Sequence, residues 1–234
     1  DRSKLSKRQG DVAVEDFLEK GYLPEALNNF VALLGWNPGT DQEIFSIDEL
    51  ITTFSLERVH KSGAVFDLPK LNWMNRLYIR QLSPARRNSY IGSFLDKAGF
   101  DTSDPIKNQK VVEAIYQRIS NGTDVKQEAS IFYLDKLEIR EPEAREILKK
   151  SSARRVLETF LSKTDEVDDL NINTFQNVMK EIQAETGIRK QELWMPVRVA
   201  LTGVTHGPDL PLVIDILDRN KIRSFINQAL TSVS

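Results

Sequence analysis

The residues best placed to do chemistry open the chain. Lys4-Leu5-Ser6-Lys7-Arg8 lies in a polar segment that runs to Gly10, ahead of any hydrophobic periodicity. Two lysines three apart around a serine make a compact cationic loop. Such a loop can fold over a polyphosphate and neutralise the charge that builds as pyrophosphate leaves. The bland alternative is a solvated surface run or a non-specific anion patch. Further along, Asn72, Asn75 and Arg76 are interleaved with Trp73, Met74, Tyr78 and Ile79, an apolar set expected in the core. The three polar residues could reach a sugar-phosphate backbone. Arg118 precedes Ser120-Asn121-Gly122 at the end of a helical pattern, where an arginine is either a dipole partner or a fork able to grip two acceptors on one edge. Arg198 begins an otherwise apolar helix and needs a partner there, either an internal acid or an outside ligand.

Gly207-Pro208-Asp209-Leu210 opens the next helix. The backbone N–H groups of a helix start can bond nucleotide oxygens or base edges. Leu210 is then either an apolar platform for a splayed base or a core residue. Lys149-Lys150 with Arg154-Arg155 is the densest cationic run beyond the opening, and a solvated face is its default reading.

Composition limits what these residues can serve. The chain has 234 residues and no cysteine, so disulfides and thiolate metal sites are excluded. His60 and His206 are its two histidines, too few for a multi-histidine metal site. A Ser-His-Asp hydrolase would lack the Gly-x-Ser-x-Gly elbow that supports one. Apolar residues make up 40%, enough for real cores. No apolar run is of membrane-spanning length, the opening segment does not read as a secretory signal, and a reducing, cytoplasmic setting is expected. Formal charge is −2, from 32 basic and 34 acidic residues. Residues 1–82 carry 10 basic and 12 acidic, 83–141 carry 9 and 9, and 142–234 carry 13 and 13. A nucleic-acid site must therefore be a local arrangement of arginines on a neutral body.

The elements that would position these residues are helices. A short segment over 12–18 ends at Gly21. From Pro24, apolar residues Leu27, Phe30, Val31 and Leu34 recur at helical spacing up to Gly35. Ser46 and Glu49 form a capping-box signature, Asp67 and Ser83-Pro84 are further helix starts, and a helix is expected from Pro105 to Ile119. Beyond Ser120–Thr123, Ile131–Leu134 reads as a short helix. After Pro142 helices are expected over 143–150, 153–161 and 174–187. A helix over 197–202 follows Pro196, and the last two cover 209–217 and 218–231. Little of the chain alternates with period two, so the expected fold is all-α.

Three further blocks accompany the basic loop. They are Gly21-Tyr22-Leu23-Pro24-Glu25-Ala26-Leu27 with Leu33-Leu34-Gly35-Trp36, then Phe66-Asp67-Leu68-Pro69-Lys70-Leu71-Asn72-Trp73-Met74-Asn75, then Trp194-Met195-Pro196-Val197-Arg198 through Gly203 with His206-Gly207-Pro208. In this order the four blocks resemble bacterial-type glutamyl-tRNA synthetases, from the class I signature loop to the C-terminus, over essentially all of the chain. The family's nucleotide-binding fold lies before this stretch, so the resemblance implies a catalytically inactive fragment without its own cofactor. It implies a signature-loop and stem-contact region at 1–82, and helical-bundle anticodon-binding subdomains at 83–141 and 142–234. It places ATP phosphates at Lys4, Ser6, Lys7 and Arg8, although in a fragment these could be a frayed terminus without ligand. It places the tRNA stem at Asn72, Asn75 and Arg76, and the anticodon at Arg118, Arg198, Gly207, Pro208 and Leu210. The implied parent is a monomeric glutamate–tRNA ligase using ATP, Mg2+ and glutamate, with tRNA(Glu) as partner and no membrane. Two other classes stay open: a helical protein-interaction module that binds acidic surfaces through Arg118 and Arg198, and a stand-alone nucleotide-binding enzyme, for which no Gly-rich phosphate loop is present. A β-barrel in the second half would instead indicate the related eukaryotic or glutaminyl type.

Overall fold

In a computed structural model, residues 13–60 and 63–232 are described, and the Lys4–Arg8 loop lies outside them. The described chain is a succession of helices: α1 (Val14–Glu19), α2 (Pro24–Gly35), α3 (Ile47–Thr53), α4 (Leu68–Gln81), α5 (Pro84–Lys97), α6 (Pro105–Ile115), α7 (Asp124–Ala129), α8 (Pro142–Leu148), α9 (Ser151–Asp165), α10 (Ile172–Thr186), α11 (Gln191–Thr202), α12 (Leu210–Ile216) and α13 (Arg219–Thr231). Two short 3-10 turns lie at Leu56–Arg58 and Ser130–Phe132. Among the described residues the β structure amounts to one isolated bridge, Trp36 with Val59. The expected all-α class is what the structure has, and the second half is helical rather than a barrel.

The chain separates into two compact units: residues up to Ala98 with Tyr116–Lys126, and Gly99–Ile115 with Gln127 onward. In the first unit, α2 packs on α3 and α4. Its core joins Phe17, Tyr22, Leu27, Phe30, Leu71 and Met74, with Phe66 set edge-on to Phe30 at 5.1 Å between ring centres. A second cluster holds Trp36, Phe45 and Leu50. In the other unit, α9 packs on α10 and α11, and α11 also packs on α8 and α13. Val156, Leu157 and Phe160 of α9 meet Phe175, Val178 and Ile182 of α10 in a buried apolar layer.

The anticipated starts have the expected chemistry. Ser46 N donates to Glu49 Oε2 at 2.7 Å and Glu49 N to Ser46 Oγ at 3.2 Å, closing the capping box of α3. Asp67 accepts from Lys70 N at 3.0 Å and Ser83 from Arg86 N at 3.4 Å. Asn171 caps α10, accepting from Asn173 N and Thr174 N, so this helix begins two residues before the expected Thr174.

Four expectations are corrected. Val31 is 58% exposed, because α2 turns Ala26, Leu27, Asn29 and Phe30 inward. Asn29 earns that place by polar bonding: its Oδ1 accepts from Phe45 N at 2.9 Å and lies 2.7 Å from the Tyr78 hydroxyl. Trp73 is 43% exposed, while Met74, Tyr78 and Ile79 are core as expected. The helix expected to reach Ile119 ends at Ile115. The carbonyls of Gln117 and Ser120 accept instead from Arg80 at 2.8 Å and Asn75 at 2.6 Å, side-chain bonds that hold this stretch out of the helical ladder. Finally, α11 runs straight through Pro196 rather than starting after it. An interior proline costs about 3 kcal/mol. Burying Leu193, Val197, Ala200 and Leu201 on the same helix outweighs that, at roughly 1.5–3 kcal/mol for each large apolar side chain.

Candidate nucleic-acid interface

The candidate stem-contact residues share one surface of α4, and the structure does bring them together, but on an internal hub. Asn75 is fully buried. Its Oδ1 accepts from Leu23 N at 2.8 Å, and its Nδ2 donates to Ser120 O at 2.6 Å and to Gly21 O at 3.4 Å. That carboxamide is spent inside the unit, which corrects the expectation of a direct RNA contact from it. Asn72, half-buried, accepts from the Tyr22 hydroxyl. Arg76, also half-buried, donates to Ser120 Oγ at 2.7 Å. The other side of the hub is the turn at 120–124, where Ser120 N donates to Asp124 Oδ2 at 2.7 Å and Asn121 Oδ1 accepts from Thr123 N at 2.9 Å. Gly21 and Gly122 make the approach possible. A Cβ on Gly21, whose φ is +86°, would meet Gly122 N at 2.6 Å. Tyr90 donates its hydroxyl to Gly21 O. Burial pushes the Tyr22 and Tyr90 phenols above their ordinary range, so both are neutral donors at physiological pH.

Arg118 is half-buried and stands in the turn after α6, three residues past the end of that helix rather than in its last turn as expected. Its neighbour Tyr116 carries the Arg87 guanidinium 3.8 Å over its ring. Arg118 belongs to the first unit and Arg198 to the second.

In the second unit three candidates converge. Arg198, on the third turn of α11, donates from Nη1 to Pro208 O at 2.9 Å. A Cβ on Gly207 would sit 3.7 Å from the same Nη1, an ordinary contact distance. The guanidinium is thus held in part by a backbone carbonyl at the threshold of α12. Pro208 and Pro211 have no N–H, so the backbone donors of this start come from Gly207, Asp209 and Leu210. Leu210 is 4% exposed and belongs to the core with Val213 and Ile214, which corrects its expected service as a platform for a base. His206 is exposed. Of the cationic run, Lys149, just past the end of α8, pairs with Glu146 at 2.7 Å, and Arg154 pairs with Glu158 at 2.9 Å within α9.

Sequence reasoning missed two polar partners, Glu141 and Thr205. Glu141 Oε2 accepts from both Thr205 N and Thr205 Oγ1 at 2.7 Å. These bonds hold the Glu141 carboxyl below the usual carboxylate range, with the nearby His206 charge acting in the same direction. A threonine between Gly203 and Gly207 was a visible loop signal, but its acid lies 64 residues earlier. Among the described residues no three His, Asp or Glu side chains come together to hold a metal ion.

Comparison with known proteins gives these placements a setting. Residues 79–230 match the family model for the anticodon binding domain, and residues 1–73 match that for the catalytic domain of class I tRNA synthetases for E and Q. Glutamate–tRNA ligase from Alkaliphilus metalliredigens is 44% identical over 97% of this chain and 47% of its own length. The Clostridioides difficile ligase is 42% identical over 94% of the chain and 45% of itself. The chain therefore spans about half the length of the curated relatives it matches. The crystal structure of a glutamate tRNA ligase from Elizabethkingia meningosepticum in complex with its amino acid superposes with a TM-score of 0.84 at 25% identity, covering 99% of this chain and 49% of that one. The glutamate-tRNA synthetase of Elizabethkingia anophelis gives 0.75 at 27% identity, over 92% and 42%. With a helical fold that follows the same architecture, a family match over most of its length and glutamate–tRNA ligases among its homologues, the chain belongs to the anticodon binding domain family.

Proposed function

We propose that this chain is the tRNA-binding portion of a glutamate–tRNA ligase, whose whole form activates glutamate with ATP and Mg2+ and attaches it to tRNA(Glu). In this reading residues 1–82 carry the signature loop and face the stem, and 83–141 and 142–234 face the anticodon. Lys4, Ser6, Lys7 and Arg8 serve ATP phosphates in the whole enzyme, a monomer of the cytoplasm. Among the described residues no helix is long and apolar enough to cross a membrane.

The observation that carries the reading is the corner where Arg198 Nη1 meets Pro208 O at 2.9 Å. A planar guanidinium can grip two acceptors on one edge of an unstacked base, a geometry lysine does not reproduce, and this one is anchored beside a helix start. The helix start beside it adds backbone donors. Arg118 serves the same purpose in the first unit.

A titration of the chain with tRNA(Glu) and with an anticodon-swapped tRNA(Glu), at two salt concentrations, tests this. The expected outcome is tighter binding of the cognate tRNA at both, with affinity falling as salt rises. Equal affinity for the two tRNAs removes base readout. Binding of acidic proteins as tight as that of the cognate tRNA replaces the reading with an interaction module.

A further inference from the structure

We propose that Glu141 and Thr205 form a latch that fixes the loop between α11 and α12, and that Glu141 is a positioning residue for base readout at Arg198, Gly207 and Pro208. The inference rests on the tRNA-binding reading above and names the part of the chain that gives the readout its geometry.

The loop from Gly203 to Pro208 is held at three points within six residues. At its start Gly203 closes α11 with φ +73° and accepts from Arg140 N at 3.1 Å. A Cβ there would fall 1.9 Å from Glu138 O, so the loop is pressed against the 138–141 segment too closely for any other residue. In the middle, Thr205 is 6% exposed and gives both its N–H and its hydroxyl to one carboxylate oxygen of Glu141. At the end, Pro208 O takes the Arg198 guanidinium. Thr202 ties the helix end to the same loop, donating to Arg198 O at 2.8 Å and accepting from Val204 N at 3.4 Å.

The Glu141 carboxylate is unusual in what it does not do. Glu141 is the N-cap of α8, directly before Pro142, yet its side chain makes no cap bond to its own helix. The carboxylate reaches 64 residues along the chain and accepts two donors there. Charge-assisted bonds to a carboxylate are about twice as strong as neutral ones, and this anchor makes two of them to one oxygen. Between it and the Arg198 anchor lie His206, which is exposed, and Gly207. A loop fixed on both sides of two residues presents them in one conformation, the preorganisation that base discrimination needs. Without the central anchor, the Gly207–Pro208 peptide can shift while the apolar cores of α11 and α12 stay packed.

The test compares the 234-residue chain with its E141A, E141Q, T205V and T205S forms, reading the affinity ratio between tRNA(Glu) and its anticodon-swapped counterpart, and amide hydrogen exchange over 203–209. The wild-type chain and T205S, which keeps both donors, are expected to discriminate alike. E141A and T205V are expected to lose at least about fivefold in the ratio, the lower end of what one base contact supplies. The loss should come from weaker cognate binding with unchanged binding of the swapped tRNA, and exchange at the Thr205 amide should rise in E141A. If E141A does not fold, E141Q reads the same step with the shape kept and the charge removed. A wild-type ratio retained in the folded latch variants overturns the latch and leaves the tRNA-binding reading standing. A wild-type ratio of one overturns that reading and the latch with it.

Discussion

The α4 hub of the first unit and the Arg198 corner of the second are built from similar residues with opposite outcomes. Both join a helix to a glycine-bearing loop through amides, hydroxyls and a guanidinium. In the hub a fully buried side chain ties backbone together: Asn75 satisfies Leu23 N, Gly21 O and Ser120 O, and Arg76 satisfies Ser120 Oγ. In the corner the bonds anchor backbone: Arg198 holds Pro208 O, and Glu141 holds Thr205 at its amide and hydroxyl, leaving a loop fixed in place with His206 exposed on it. A buried polar side chain that ties backbone segments together makes a joint, and a half-buried one that anchors a loop with an exposed residue makes a surface. The type of residue does not distinguish the two, whereas burial does: Asn75 is fully buried and Arg198 half-buried.

Substitutions can break or sharpen that contrast. The largest effect is expected from Leu210→Ala, which empties a core position in the second unit and should cost about 2–5 kcal/mol of stability in chemical denaturation. A stability loss under 1 kcal/mol with weakened tRNA binding would return Leu210 to the surface. Next comes Asn75→Ala. It leaves Leu23 N and Ser120 O buried without their partner and should cost about 2–3 kcal/mol of stability, with tRNA affinity unchanged wherever the variant is folded. A drop in affinity at intact stability would reopen the α4 surface as a stem contact.

Smaller still is the pH effect of the latch. The folded Glu141 carboxyl has a pKa below its ordinary value of 4.5. Its contribution to stability is therefore present above that value and is lost as pH falls through the folded-state pKa. Comparing the urea midpoints of wild type and E141Q should show wild type ahead at pH 7 and the gap closing in the acid range below about 4. A gap that widens toward acid would contradict the hydrogen-bonded carboxylate. The smallest effect belongs to Lys149→Ala and Arg154→Ala, whose exposed local pairs should each shift stability by no more than about 0.5 kcal/mol.

What the sequence made legible was whatever is encoded locally. Ser46 with Glu49, Asp67 and Ser83 with Pro84 each announce a helix start within four residues, and each start is where it was expected. The convergence of Arg198 with Gly207 and Pro208 was within reach for the same reason, since ten residues separate the bonded pair. What stayed hidden depends on distant partners. Asn75 and Ser120 are 45 residues apart, so a polar residue on α4 looked available when it was already engaged. Val31 fits the apolar spacing of α2, but the helix is rotated to bring Asn29 to Phe45 and Tyr78, a demand invisible from one helix alone. Pro196 looked like a start because periodicity does not weigh one lost ladder bond against a buried helix face. Glu141 reads from sequence only as a residue at the 141/142 boundary, because its partner Thr205 lies 64 residues further on.

The central claim is that the Arg198 corner reads bases. It is tested most directly by measuring the affinity of Arg198→Ala and Arg198→Lys for tRNA(Glu) and for the anticodon-swapped tRNA. The account predicts that both variants remain folded, lose about 1–3 kcal/mol on the cognate tRNA and bind the swapped one as wild type does, so that discrimination collapses. Full discrimination in Arg198→Ala, or equal losses on both tRNAs, would contradict it.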